Sequence, residues 1–200
     1  MTDTLSKKLT WHLLLGRYRL LGRLDQGRHI KNACRDCITN SDGCCVYPFY
    51  GDWKIVLLPH EVSRISEFTG RVPATFADDS PLVGSQLEYY RENRAADPQW
   101  SRLFELWGKP TGLKGKCPFL VPQGCTLPYE KKPFLCQAYP LTFNITENTI
   151  FREDDPDCLL IQAVASAGKV LDRFKDSKEN LSSRFEEYRK DFFRLLGSLQ

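Results

Sequence analysis

Cysteine sulfur is the chemistry this sequence offers in quantity. Eight cysteines stand among 200 residues, in three groups. The first reads Cys34-Arg35-Asp36-Cys37, then six residues, then Cys44-Cys45. The second comprises Cys117, Cys125 and Cys136, and Cys158 stands by itself. Two cysteines three apart reach one metal because the turn between them turns both sulfurs to the same side. Asn40, Asp42 and Gly43 suit a backbone that loops back with the next ligands. Side chains of adjacent residues diverge, so Cys44 and Cys45 serve two centres, or one of them lies buried outside the site.

The setting favours metal over disulfides. No export signal is expected: Leu13, Leu14 and Leu15 are too short a run for a secretory core, and no small-residue cleavage site follows. A basic, partly amphipathic start has some of the character of a transit peptide, but a cytoplasmic location is the expectation. There thiols stay reduced, and gathered thiolates are best explained by a metal ion. A lone Cys-x-x-Cys also fits a thioredoxin-like redox pair, yet no strand–helix context of that kind surrounds Cys34 and Cys37. Gly115 and Gly124 permit backbone conformations that metal loops need, and Pro118 and Pro133 stiffen the loops. A structural thiolate site contributes on the order of 10 kcal/mol to folding, more than the net stability of many domains.

These motifs also resemble a known family. Beyond the first group, the chain has Leu58-Pro59-His60-Glu61-Val62 and Cys117-Pro118-Phe119-Leu120. It continues with Gly124-Cys125-Thr126-Leu127-Pro128-Tyr129-Glu130 and Lys132-Pro133-Phe134-Leu135-Cys136-Gln137-Ala138-Tyr139-Pro140. Together they look like the YkgJ-type cysteine-cluster family, described as a zinc- or iron-chelating domain and related to flagellin lysine N-methylase. The resemblance runs from about Cys34 to Cys158. It departs from the family in the longer spacing before Cys44, in an extra residue at Pro128, and in Lys132 and Gln137 where the family usually has arginines. The ligand set is unaffected. The resemblance implies Cys34, Cys37, Cys44, Cys45, Cys117, Cys125, Cys136 and Cys158 as metal ligands.

Thiolate-only sets suit zinc and iron–sulfur centres alike. The methylase relationship and the absence of histidine from the cysteine groups favour an iron–sulfur cluster or iron, with zinc as the alternative. His12, His29 and His60 read as surface or helix residues. Two functions follow: a metal-binding protein acting as carrier, sensor or assembly partner, or a protein lysine N-methyltransferase using S-adenosylmethionine. Whether the chain is an enzyme stays open. No Gly-rich turn follows a strand in a βαβ unit, and no catalytic base or nucleophile stands out. Tyr129, Glu130 and Tyr139 are read as packing around the metal, and Asp154, Asp155 and Asp157 as a solvated turn.

The elements that must position these sulfurs are mainly helical, in a small α+β fold with irregular metal-wrapping loops and one β-hairpin. Residues 1–32 form an amphipathic helix with Trp11, Leu14, Leu15, Tyr18 and Leu21 on one face. Residues 33–158 form the cysteine domain, and residues 159–200 a helical extension packed on it. Trp53–Leu58 is a strand candidate, followed by a helix from Pro59 to about Phe68 that Gly70 closes. A loop is expected over Arg71–Ser85 and a helix over Gln86–Arg94. Asp97-Pro98 has the order of a cap and first turn for a helix burying Trp100, Leu103, Leu106 and Trp107. Leu141–Thr146 and Thr149–Arg152 alternate as a hairpin. Leu171, Phe174, Leu181, Phe185, Tyr188, Phe192 and Leu195 make one apolar stripe near the C-terminus.

The totals exclude other classes. A 42% apolar and 12% aromatic content is that of a folded chain. The charge of +3, from 28 basic and 25 acidic residues, gives no reason to expect nucleic acid. No apolar run is long enough to span a membrane. The expected partners are a metal ion or cluster, with another protein as a second candidate.

Overall fold

The computed structural model describes residues 13–14, 55–82, 84–92, 97–114, 117–121, 124–139, 141–152, 158–159, 161 and 178–200. Over these residues the protein is a mixed α+β structure with two-stranded antiparallel sheets. Most of the segment expected as an N-terminal helix, the whole first cysteine group, Asp154 to Asp157, and Leu171 and Phe174 of the expected apolar stripe lie outside them.

The described segment that begins at Ile55 is apolar over its first four residues. Ile55, Val56, Leu57 and Leu58 are all buried, as a strand covered on both faces would be. Its pairing is short: Val56 forms one antiparallel bridge to Gly112. The Leu57 N–H donates to the Thr111 carbonyl at 2.9 Å, and the Leu113 N–H to the Ile55 carbonyl at 2.9 Å. Helix α1, Pro59–Thr69, follows. Proline at its first position has no N–H to leave unsatisfied, and Gly70 ends it at φ 66°, a left-handed conformation that favours glycine.

The Arg71–Ser85 segment is more ordered than its Pro and Gly content predicts. A 3-10 turn at Pro73–Thr75 leads into strand β1, Ala77–Asp79, which pairs antiparallel with β2, Thr111–Leu113. Two strands of three residues carry too little pattern to be read as strands; their pairing comes from tertiary contact. Helix α2, Gly84–Glu92, begins two residues earlier than expected.

Helix α3, Pro98–Trp107, begins at the expected proline. Its buried face is Trp100, Ser101, Leu103 and Phe104, whereas Leu106 is 42% exposed and Trp107 half-buried. The expected face was therefore rotated toward the helix end. Asp97 stands at the cap position without capping. Its carboxylate instead accepts the Ile145 N–H at 2.6 Å and the Thr146 hydroxyl at 2.8 Å. Arg189 Nε donates to the Ile145 carbonyl at 2.8 Å, so the same turn is held from two sides. That turn joins β5, Leu141–Asn144, to β6, Thr149–Arg152, in the register Leu141↔Arg152 to Asn144↔Thr149.

Helix α5, Lys178–Ser198, buries Leu181, Phe185, Tyr188, Phe192 and Leu196, at intervals of three and four. Leu196 takes the inward position expected for Leu195, which is half-buried. This stripe closes the larger of two apolar clusters, with Trp100, Phe104, Phe134, Leu141 and Leu159. The Trp100 indole stacks on Phe104 at 5.2 Å and meets Phe192 edge-on at 4.9 Å. Leu14 packs against the cluster and Leu13 is 67% exposed. Among the described residues no helix is long and apolar enough to cross a membrane.

Candidate metal centre

The second cysteine group lies along one short stretch of irregular chain. Cys117 opens a turn that its carbonyl closes by accepting the Leu120 N–H at 3.1 Å. Strands β3, Leu120–Val121, and β4, Gly124–Cys125, then form a two-residue antiparallel ladder that sets Cys125 opposite Leu120. Gly124 adopts φ 121°, a conformation open to glycine but strained for other residues. The Thr126 N–H and hydroxyl both donate to the Phe119 carbonyl, at 2.8 and 3.1 Å, and tie the loop shut. Phe119 is buried, with its ring 5.6 Å from that of Phe76.

Cys136 arrives on a different element. A 3-10 turn at Tyr129–Lys131 leads through Pro133 into helix α4, Phe134–Ala138. The Tyr129 hydroxyl donates to the Gln137 carbonyl at 3.0 Å, and Gln137 Nε2 to the Lys132 carbonyl at 2.7 Å. Phe134 points the other way, stacking on Tyr188 at 4.8 Å within the larger cluster. Leu135 packs against both clusters.

The result is that Cys117, Cys125 and Cys136 share the smaller apolar cluster with Ile55, Leu57, Ile65, Phe76, Ala77, Leu113, Phe119 and Leu127. Cys117 is buried and the other two are half-buried. Cys158 is also buried, but in the larger cluster beside Leu159. Cys34, Cys37, Cys44 and Cys45 lie outside the described residues. Among the described residues no three His, Cys, Asp or Glu side chains form a group able to hold a metal ion. Thiols are the donors a thiolate site uses, but here Cys117 lies in the cluster and Cys125 and Cys136 pack against it without forming such a group. A tetrahedral site needs a fourth donor beyond them.

Of the other residues singled out, Glu130 is exposed, and Tyr129 and Tyr139 are half-buried. Tyr139 packs against the larger cluster. His60 is no isolated surface group, because its Nδ1 lies 3.0 Å from Asp191 Oδ2 on α5. Burial holds its pKa below the usual histidine value, against the upward pull of the Asp191 carboxylate.

Glu61 has the most unusual environment near this group. It is fully buried. Its Oε2 accepts the Leu58 N–H at 2.9 Å, and its Oε1 accepts the Phe134 N–H at 2.6 Å. Arg64 Nη2 lies 3.7 Å from the same carboxylate and donates to the Lys132 carbonyl at 2.9 Å. Burial raises the Glu61 pKa to about 7, although both backbone N–H groups and Arg64 favour the charged form. In the sequence Glu61 stands out only as part of the Leu58–Val62 motif. The available signal was its position four residues before Ile65, on the inward face of α1.

No family model matches the chain, and neither a curated protein nor a solved structure matches it at a significant level.

Proposed function

We propose that the protein binds metal through its cysteines, holding an iron–sulfur cluster or iron, with zinc as the alternative ion. The observation that carries the reading is the presence of Cys117, Cys125 and Cys136 in one apolar cluster. The turn before β3 carries Cys117, strand β4 carries Cys125 and helix α4 carries Cys136. In this reading a cysteine of the Cys34–Cys45 segment supplies the fourth sulfur, and the loops between Gly112 and Pro140 wrap the ion. Cys158, in the other cluster, belongs to a different part of the thiol set. The bound ion would cross-link loops that have little regular structure of their own. The protein then acts as an iron or zinc carrier, sensor or assembly partner, in the cytoplasm.

The test is elemental analysis of protein purified without oxygen, with acid-labile sulfide measured alongside. Iron with sulfide supports the cluster, and zinc alone moves the choice of ion. Protein that holds neither metal refutes the reading. Calorimetry with S-adenosylmethionine addresses the methyltransferase alternative, which saturable binding would favour.

A further inference from the structure

A buried carboxylate with both oxygens on backbone N–H groups of two different helices is costly to arrange, since burial penalises its charge. Glu61 is such a group. One oxygen serves the start of its own helix, as a glutamate at the third position of a capping box does. The other serves Phe134, the first residue of α4. Arg64, one turn along α1, holds the Lys132 carbonyl two residues earlier. The strand-like bend Lys132-Pro133-Phe134 is thus gripped by one donor and one acceptor from a single face of α1. Helix α4 has five residues, too few to be stable by itself. Its placement is set by this grip, by the Tyr129 hydroxyl at its far end, and by Phe134 in the aromatic core.

We propose that Glu61, with Arg64, is the positioning residue for Cys136, fixing its sulfur relative to Cys117 and Cys125. The inference rests on the metal-binding reading for its purpose, but the positioning itself can be measured without metal. Glu61→Gln keeps the shape of the side chain and replaces one acceptor oxygen with an NH2 group, so one of the two backbone N–H groups loses its partner. Loss of a charge-assisted hydrogen bond at a buried site corresponds to roughly a tenfold change in a local equilibrium.

The experiment follows alkylation of each cysteine by iodoacetamide in the full chain as purified, resolved by peptide mass spectrometry. Glu61→Gln raises the rate at Cys136 about tenfold and leaves Cys158 unchanged. The exposed Glu67→Gln on the same helix changes neither. If metal is present, its release to a chelator quickens in Glu61→Gln by a similar factor at unchanged stoichiometry. An unaltered Cys136 rate, or an equal rise at every cysteine, overturns the proposal. Should Glu61→Gln not fold, Arg64→Ala, which removes the grip on Lys132 from a half-exposed side chain, decides it by the same Cys136-specific rise. Wild-type protein devoid of metal would sink the metal reading alone, whereas metal-loaded protein with unchanged Cys136 reactivity and release would sink the positioning alone.

Discussion

Glu61 links folding stability to pH with a sign opposite to that of most carboxylates. Its pKa rises from 4.5 to about 7 in the folded protein, first because of burial. The folded state therefore holds the proton more tightly than the unfolded chain. The contribution to stability is fully present below pH 4.5 and is lost as pH rises through about 7. A displacement from 4.5 to about 7, at roughly 1.36 kcal/mol per pH unit, is worth about 3 kcal/mol, most of it lost between pH 5 and 8. Glu61→Gln cannot titrate. The difference in unfolding free energy between wild type and Glu61→Gln should thus shift by about 3 kcal/mol toward the variant across that range. Urea unfolding at several pH values, followed by far-ultraviolet circular dichroism, measures it. The neighbouring charges, Arg64 on α1 and Asp191 on α5, are common to both proteins. His60 is common as well, and its lowered pKa acts the opposite way, its contribution being lost as pH falls. A difference that stays flat from pH 5 to 8 would refute the reasoning.

Three further outcomes are expected. Cys136→Ser lowers bound metal and soluble yield together, and Cys158→Ser lowers bound metal less; equal losses by elemental analysis would contradict the grouping. Phe134→Ala removes a ring stacked against Tyr188 and Phe185, and should cost about 3–5 kcal/mol in denaturant unfolding. Asp97→Ala leaves the Ile145 N–H without its carboxylate partner, and should cost about 1–3 kcal/mol; an effect within measurement error would mean that the turn is held by Arg189 and its own ladder.

Regular elements with a strong local signal were legible in the sequence. Pro59 and Gly70 mark the two ends of α1, and the spacing of Leu181, Phe185, Tyr188 and Phe192 marks the inward face of α5. The hairpin at Glu147-Asn148 is present, with Asn148 taking the left-handed conformation at φ 56°. What was not legible depends on partners distant in the chain. Strand β1 exists because β2 lies beside it. Asp97 has the local character of a helix cap, but Ile145 and Thr146, nearly fifty positions away, compete for its carboxylate and win. At the candidate site, cysteine spacing could group the sulfurs but not show that Cys117, Cys125 and Cys136 enter one cluster while Cys158 enters another. Nor does the sequence of α1 state that Glu61 faces Phe134.

Helix α4 is shorter than two turns and joins the two cores, with Phe134 in one and Cys136 against the other. A segment so brief has no tendency to coil before its surroundings exist. Its amide at Phe134 must first meet a carboxylate 73 positions earlier, and its ring must find a C-terminal helix not yet made when the ribosome passes this point. The place of Cys136 therefore depends on chain far before it, at Glu61, and far after it, at Tyr188.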